Sequence, residues 1–197
     1  GNNGWYRSLP HVSVDFSDAE TFVVQKNVAV NSISQENMDC LLLNDGENRI
    51  EAWGTDSGNL RSVPVLKKVF IDREKPETEL YLTSGECKNG WYNESVVLGI
   101  RAEDGISGVA GSFLNGRIYE RPLVIEEDGI HNIEIYSVDN AGNFSEKRNY
   151  VLKLDHNPPY VDAAVIAREG LSLVKMNAFD TVSGVKKIEY RINGGEV

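Results

Sequence analysis

Apolar and polar residues alternate over three separate stretches of the chain. In residues 96–103 every even position is apolar, whereas the odd positions include Gly99, Arg101 and Glu103. The same alternation runs through 10–17 and 174–178. Because successive side chains of a β-strand point to opposite faces, each stretch predicts a strand with one buried face. The side chains predicted to face inward in the outer two stretches are Pro10, Val12, Val14, Phe16, Val174, Met176 and Ala178.

Turn residues divide the middle of the chain into short segments of this kind, and none of them shows helical periodicity. The predicted strands cover 78–83, 96–103, 109 to the turn at 115–116, 117–120, 123–127, 133–138 and 149–154. Seven short strands in about 85 residues are typical of an immunoglobulin-like or fibronectin-type sandwich of two sheets. The sequence therefore predicts an all-β fold.

The chain also repeats itself. Asn3-Gly4-Trp5-Tyr6 recurs 86 positions later as Asn89-Gly90-Trp91-Tyr92, and Asp72 and Pro76 recur 83 positions later as Asp155 and Pro159. Similarity at a fixed spacing indicates a tandem array. The spacing predicts repeat 1 at 1–72, lacking its first strand, a complete repeat 2 at 73–157, and the opening strands of repeat 3 at 158–197. Tandem sandwiches joined by short linkers predict a rod.

Composition and charge exclude two classes of binding partner. The 197 residues carry a formal net charge of −10, and Lys and Arg are scattered singly. Nucleic acids and anionic lipids need a clustered basic face, so neither is expected as a partner. No apolar run reaches the length of a membrane-spanning helix, and no signal-peptide pattern opens the chain. Cys40 and Cys87 lie in different repeats at positions that do not correspond, which predicts two free thiols.

Several motifs together resemble the bacterial Ig-like repeats that occur in strings on secreted and surface proteins. These motifs are Gly-Trp-Tyr at 90–92, Asp-x-x-Ser-Gly-Val at 104–109 and 180–185, Asp-x-Ala-Gly-Asn at 139–143, and Asp-x-x-Pro-Pro at 155–159. Repeat 1 departs from the pattern, because Phe22 stands where Gly108 stands in repeat 2. The resemblance implies a non-catalytic spacer or adhesion module at the bacterial cell surface or outside the cell. Its implied partners are neighbouring domains of the same polypeptide and, as a further possibility, a glycan or a surface protein.

Asp72, Asp104 and Asp139 are candidate calcium ligands. In fibronectin-like strand order the loops that carry Asp104 and Asp139 lie at the pole next to the linker that carries Asp72. Three carboxylates there suit Ca²⁺ if backbone carbonyls and water complete six to eight oxygen ligands. The alternative is that each Asp closes its own turn by accepting backbone hydrogen bonds.

Trp91 and Tyr92 are candidate carbohydrate ligands, since an exposed aromatic face stacks on a sugar ring. Repeat 3 lacks the Gly-Trp-Tyr element altogether, so the sandwich does not require it. The alternative is that Trp91 plugs the open end of the sandwich, because Trp is usually mostly buried. This interpretation predicts a structural role.

The sequence does not predict an enzyme. His11, His131 and His156 lie apart, with no nucleophile at a suitable spacing, and no phosphate loop or zinc pattern is present. No cofactor is therefore expected apart from the calcium alternative. His131 stands at the corner before a strand, where repeat 1 has Asn48, which predicts a hydrogen bond across that corner.

Overall fold

The structure is a computed structural model that describes residues 3–19, 22–37, 40–83 and 86–191. Within these ranges there are strands and turns but no helix, so the predicted all-β, Ig/fibronectin-type fold is confirmed. The strands are β1 Trp5–Tyr6, β2 Val23–Val30, β3 Ile33–Ser34, β4 Gly46–Asp56, β5 Val65–Ile71, β6 Glu77–Thr83, β7 Cys87–Lys88, β8 Trp91–Tyr92, β9 Val96–Glu103, β10 Val109–Leu114, β11 Arg117–Ile118, β12 Leu123–Ile125, β13 Gly129–Asp139, β14 Arg148–Leu154, β15 Tyr160–Arg168 and β16 Leu171–Phe179. No helix in the described ranges is long and apolar enough to span a bilayer.

The strands form four sheets. Within predicted repeat 2, one sheet has the order β12-β9-β6 and the other has the order β11-β10-β13-β14-β8-β7. Within predicted repeat 1, a single sheet has the order β1-β5-β4-β2-β3. β15 and β16 form a hairpin of nine paired residues each, closed by Glu169 and Gly170 at positive φ. Two consecutive residues with positive φ are what a tight two-residue hairpin turn requires.

The chain forms two compact units. Unit 1 comprises 1–79, 100–120 and 135–148, and unit 2 comprises 80–99, 121–134 and 149–197. The core of unit 1 consists of buried Val28, Val30, Leu43, Ile50, Ala52 and Ile71. The buried apolar side chains of unit 2 lie on β9, β12, β13 and β14 and include Val96, Leu98, Ile125, Ile133, Leu152 and Leu154. The repeat boundaries after residues 72 and 157 stay predictions.

Residues 10–17 correct one strand prediction. Their side chains alternate as predicted, with Val12, Val14 and Phe16 half-buried against the core of unit 1 and His11 exposed. Their backbone, however, pairs with no described strand, so the segment is extended chain rather than a strand. Alternation reports which face is buried, whereas a strand also requires a backbone partner.

The Trp-Tyr elements at 5–6 and 91–92 are short strands. β1 pairs in parallel with β5, and β8 pairs in parallel with β14, with Tyr92 opposite Leu154. Asn89 and Gly90 have positive φ and close the hairpin between β7 and β8. Cys40 and Cys87 are free and exposed. The strand predicted at 174–178 is present within β16, with Met176 and Ala178 half-buried and Val174 exposed.

Candidate functional site

Three aspartates of unit 1 converge, as the sequence predicts. Asp72 directly follows β5, Asp104 directly follows β9, and Asp139 is the last residue of β13. One carboxylate oxygen from each lies within 4.8 Å of the other two, and Asp72 and Asp139 are fully buried. We call these three residues the aspartate cluster. The convergence of three strand ends at one pole is what Ig-like strand order requires of these positions.

Asp72 links the linker to a loop that is distant in sequence. Its Oδ1 accepts a hydrogen bond from the Glu74 N–H at 3.0 Å, and its Oδ2 accepts one from the Ser107 N–H at 3.1 Å. Its own carbonyl accepts a hydrogen bond from Asn143 Nδ2 at 3.0 Å. One linker residue is therefore bonded both to the turn that follows it and to two loops of unit 1.

Asp104 and Asp139 close their own turns. Asp104 Oδ1 accepts from the N–H groups of Ile106 at 3.2 Å and Gly108 at 2.7 Å. Asp139 Oδ1 accepts from the N–H groups of Gly142 at 2.6 Å and Asn143 at 2.8 Å, and its Oδ2 accepts from Asn143 Nδ2 at 2.8 Å. Backbone N–H groups therefore satisfy the hydrogen-bonding capacity of these carboxylates, as the turn-closing interpretation predicts.

Calcium binding by the aspartate cluster and turn closure by each Asp are alternatives that a melting experiment separates. Because backbone N–H groups already satisfy these carboxylates, we expect the same melting temperature in EDTA and in millimolar Ca²⁺, the range in which extracellular modules bind calcium. Asp104→Asn keeps an acceptor oxygen and is the matched variant. A melting temperature that rises with Ca²⁺ in the unmodified chain, and no longer does so in Asp104→Asn, would establish a calcium site.

Further contacts within unit 1 brace the same pole. Asn140 Nδ2 donates to the Ser107 carbonyl at 2.8 Å. Arg7 Nη1 donates to the Gly142 carbonyl at 3.0 Å, and Lys75 Nζ lies 2.5 Å from Glu146 Oε1. The Lys75 ion pair is exposed and contributes little to stability, whereas bonds to backbone carbonyls set the positions of whole loops.

Unit 2 contains the same hydrogen-bond pattern around a second linker aspartate. Asp155 Oδ1 accepts from the Asn157 N–H at 3.1 Å, and its Oδ2 accepts from the Ser183 N–H at 3.0 Å. Asp180 Oδ1 accepts from the N–H groups of Val182 at 2.9 Å and Gly184 at 2.8 Å. These backbone donors hold the pKa of Asp180 below its ordinary value, with the Gly184 N–H contributing most.

Asp128 holds the chain after Asp155 within unit 2. Its Oδ1 accepts hydrogen bonds from the backbone N–H of His156, at 2.9 Å, and from the His156 ring, and its Oδ2 accepts one from Asn157 Nδ2 at 2.6 Å. The side-chain bond from His156, and then its backbone bond, lower the pKa of Asp128. The linker is thus bonded to a turn of the same unit.

We expect acid to release this attachment. The folded-state pKa of Asp128 lies below its ordinary value of 3.8, so its stabilisation is complete above that pH and is lost as the pH falls through the lowered pKa. NMR titration of the Asp128 carboxyl carbon measures this pKa. Asp128→Asn serves as the control, because its melting temperature should no longer fall as the pH drops through the pKa of Asp128. A midpoint at or above 3.8 would contradict the assignment.

Trp91 and Tyr92 lie together on β8 and are both half-buried. Lys153 Nζ lies 5.7 Å from the centroid of the Trp91 ring, a cation–π contact over one of its faces. Burial, followed by the Cys87 thiol, raises the pKa of the Tyr92 phenol. The corresponding Trp5 in unit 1 packs against Phe70 with centroids 5.3 Å apart. Both indoles have partners in their own unit.

The three histidines do not come together. His11 is exposed on the extended segment, and His156 bonds to Asp128. His131 Nε2 donates to the Glu127 carbonyl at 2.8 Å, and Asn48 Nδ2 donates to the Asn44 carbonyl at 2.6 Å. Each bond reaches back four residues to the turn before the strand, and His131 and Asn48 are each the third residue of their strands, β13 and β4. The predicted role of His131 is therefore confirmed.

Sequence reasoning identified the aspartates but not the donors that meet them. Ser107 and Asn143 lie inside the quoted motifs, where they suggest only local turns. In the structure, the Ser107 N–H reaches Asp72 and the Asn143 amide reaches both Asp72 and Asp139. The signal in the sequence is the recurrence of this serine as Ser183 in the second copy of the motif, at 180–185.

No protein-family model and no curated protein matches the sequence. Among solved structures, the chain is similar to the fibronectin(III)-like modules of Clostridium thermocellum CbhA, with 14% identity and a TM-score of 0.32 over 71% of this chain and 82% of that chain. It is also similar to Bacteroides ovatus SGBP-B of the mixed-linkage glucan utilization locus, solved in complex with a mixed-linkage heptasaccharide. Identity there is 10% and the TM-score 0.30, over 91% of this chain and 53% of that chain, so this chain spans about half its length. Likenesses of this degree carry no information about what this chain binds.

Proposed function

We propose that this chain is a non-catalytic spacer of tandem Ig-like repeats, belonging to a larger bacterial surface or secreted protein. Its function is to hold a functional or adhesive domain at a defined distance and orientation. The observation that carries the proposal is the hydrogen bond from a loop N–H to the aspartate of each linker. Ser107 N–H donates to Asp72, and Ser183 N–H donates to Asp155, at nearly equal distances.

These bonds bear on rigidity because of where the repeat boundaries are predicted. Asp72 ends predicted repeat 1, whereas Ser107 and Asn143 belong to predicted repeat 2, and all three lie in compact unit 1. A linker whose side chain and carbonyl are both bonded to the following repeat cannot behave as a free coil. A fixed linker restricts the orientation of successive repeats, which is the property a spacer needs.

Distance measurements between spin labels test the proposal. Cys40 and Cys87 are exposed free thiols in predicted repeats 1 and 2, so the natural chain can be labelled directly. We expect a narrow distance distribution in the unmodified chain and a broad one in Asp72→Ala. Glu74→Ala, an exposed change in the same linker, is the control and should leave the distribution narrow. A broad distribution in the unmodified chain would refute the spacer function.

The second candidate function is carbohydrate binding through Trp91 and Tyr92. It is favoured by the placement of two adjacent aromatic side chains on a short, half-buried strand that is second from the edge of its sheet, next to the two-residue edge strand β7. A glycan array compares the unmodified chain with Trp91→Ala and with the control Trp5→Ala. Binding that is lost only in Trp91→Ala would establish this function. The spacer proposal predicts no binding by any of the three.

A further inference from the structure

Unit 1 contains an open groove beside the extended segment 10–17. Its volume is about 890 Å³, and it lies between that segment and the strands β4 and β5. Apolar side chains from all three contribute to its walls, including Val12, Val14, Phe16, Ile50, Val65 and Val69. A groove of this size is unusual inside a sandwich, whose interior is normally close-packed.

The corresponding positions of repeat 2 are filled. Val96, Leu98 and Ile100 of β9 lie 86 positions after Pro10, Val12 and Val14. The three side chains of β9 are buried, whereas those of the extended segment are only half-buried. The same contrast holds on the opposite wall, where Leu152 of β14 is buried and Val69, 83 positions earlier, is half-buried.

One structural element accounts for the contrast. In repeat 2, β9 lies between β12 and β6 in its sheet, so β6 supplies an edge strand. The inward side of β6 is formed by buried Thr78 and half-buried Leu80 and Leu82, while Glu77 and Glu79 are exposed. Among the described residues of unit 1, no strand holds this position next to 10–17.

The extended segment is ready to accept such a strand. Its backbone joins no ladder with the described strands, and its apolar side chains already face the core. Unpaired backbone donors and acceptors along an extended segment are a template for strand addition. Main-chain hydrogen bonds would provide affinity, and pockets for alternate side chains would provide selectivity.

We propose that the groove binds an added β-strand that the described residues do not supply. This strand pairs with 10–17 and inserts apolar side chains at alternate positions, as β6 does beside β9. The occupant is thus a peptide segment with apolar and polar residues in alternation. The inference uses the correspondence between repeats 1 and 2, but it does not depend on a rigid linker. The spin-label result and the groove can therefore fail separately.

A synthetic peptide with the sequence of residues 75–83, Lys-Pro-Glu-Thr-Glu-Leu-Tyr-Leu-Thr, is the probe. The readout is hydrogen exchange of the backbone amides of 10–17 in the intact chain. We expect these amides to exchange roughly tenfold more slowly at a peptide concentration ten times the dissociation constant. The amides of β9, already paired with β6, should not change. Intrinsic fluorescence offers a second readout, because Trp53 lines the groove and the peptide contains no Trp.

Two altered peptides provide the controls. Changing the residues that correspond to Leu80 and Leu82 to Asp should abolish protection, because these are the inward positions. Changing those that correspond to Glu77 and Glu79 to Gln should preserve it, because they face outward. Equal behaviour of the two altered peptides, or no protection by the unaltered one, would overturn the proposal. Protection that rises with protein concentration in the absence of peptide would overturn it in favour of a second copy of the chain.

Discussion

Replacing Asp139 with Ala is expected to destabilise the chain by about 3 kcal/mol. Asp139 is fully buried, and its carboxylate accepts three hydrogen bonds, from the Gly142 N–H, the Asn143 N–H and the Asn143 side-chain amide. Alanine removes the acceptor of the Asn143 N–H, whereas the Gly142 N–H keeps the Asp139 carbonyl at 3.2 Å and the Asn143 amide keeps the Asp72 carbonyl at 3.0 Å. Each hydrogen bond to a charged group contributes about 1.5–3 kcal/mol, and the remaining acceptors offset part of the loss. Urea unfolding followed by the fluorescence of Trp91, with Trp5 and Trp53 changed to Phe, measures the loss.

Asp56 offers the matched control in predicted repeat 1. It lies 83 positions before Asp139 and is only half-buried, and its Oδ1 accepts a hydrogen bond from the exposed Leu60 N–H at 2.8 Å. Water can replace the lost acceptor there, so Asp56→Ala should cost about 1 kcal/mol or less. Asp139→Asn, which keeps one acceptor oxygen, should fall between the two alanine variants. Equal losses at Asp139 and Asp56 would show that burial of the Asp139 carboxylate is not the cause.

Much of the fold follows from alternation and turn chemistry. The strand predicted at 96–103 coincides with β9, and those predicted at 78–83 and 149–154 differ from β6 and β14 by one residue at one end. These boundaries are sharp because Pro76, the Asn115-Gly116 pair and similar turn residues interrupt the alternation. The corner bonds of Asn48 and His131 were predictable for a related reason, because they depend on neighbours only four residues away.

The remaining features depend on partners that are distant in sequence. β1 and β8 are two residues long, too short for any period to be visible, and they exist because β5 and β14 offer parallel partners. In the same way, the Ser107 N–H bonds to Asp72, which lies 35 positions earlier in the sequence. The topology places the two loops at one pole, but it does not specify which donor reaches which oxygen.

The extended segment 10–17 shows most clearly what a hydrophobic pattern cannot predict. Its side-chain pattern equals that of β9, and both segments direct the same face toward a core. They differ in backbone pairing, since β9 has a neighbour on each side and the extended segment has none among the described strands. A hydrophobic pattern is a property of one segment, whereas a ladder is a property of two, so the first cannot predict the second.

Because β9 is paired on both sides and the extended segment is not, we expect the second large destabilisation at Leu98. Leu98 is fully buried on β9, so Leu98→Ala removes a well-packed side chain and is expected to cost about 3 kcal/mol or more. Val12, the corresponding residue 86 positions earlier, is half-buried beside the groove, and Val12→Ala should cost about 1 kcal/mol, because part of its surface already meets solvent. Urea unfolding compares the two variants, with Trp91 as the reporter for Leu98→Ala and Trp53 as the reporter for Val12→Ala.

If the groove binds the peptide of residues 75–83, saturation with that peptide should raise the free-energy cost of Val12→Ala and leave that of Leu98→Ala unchanged. Without peptide, Val12→Ala should lower the free energy of unfolding less than Leu98→Ala does. An equal loss would mean that the extended segment is already as well covered as β9.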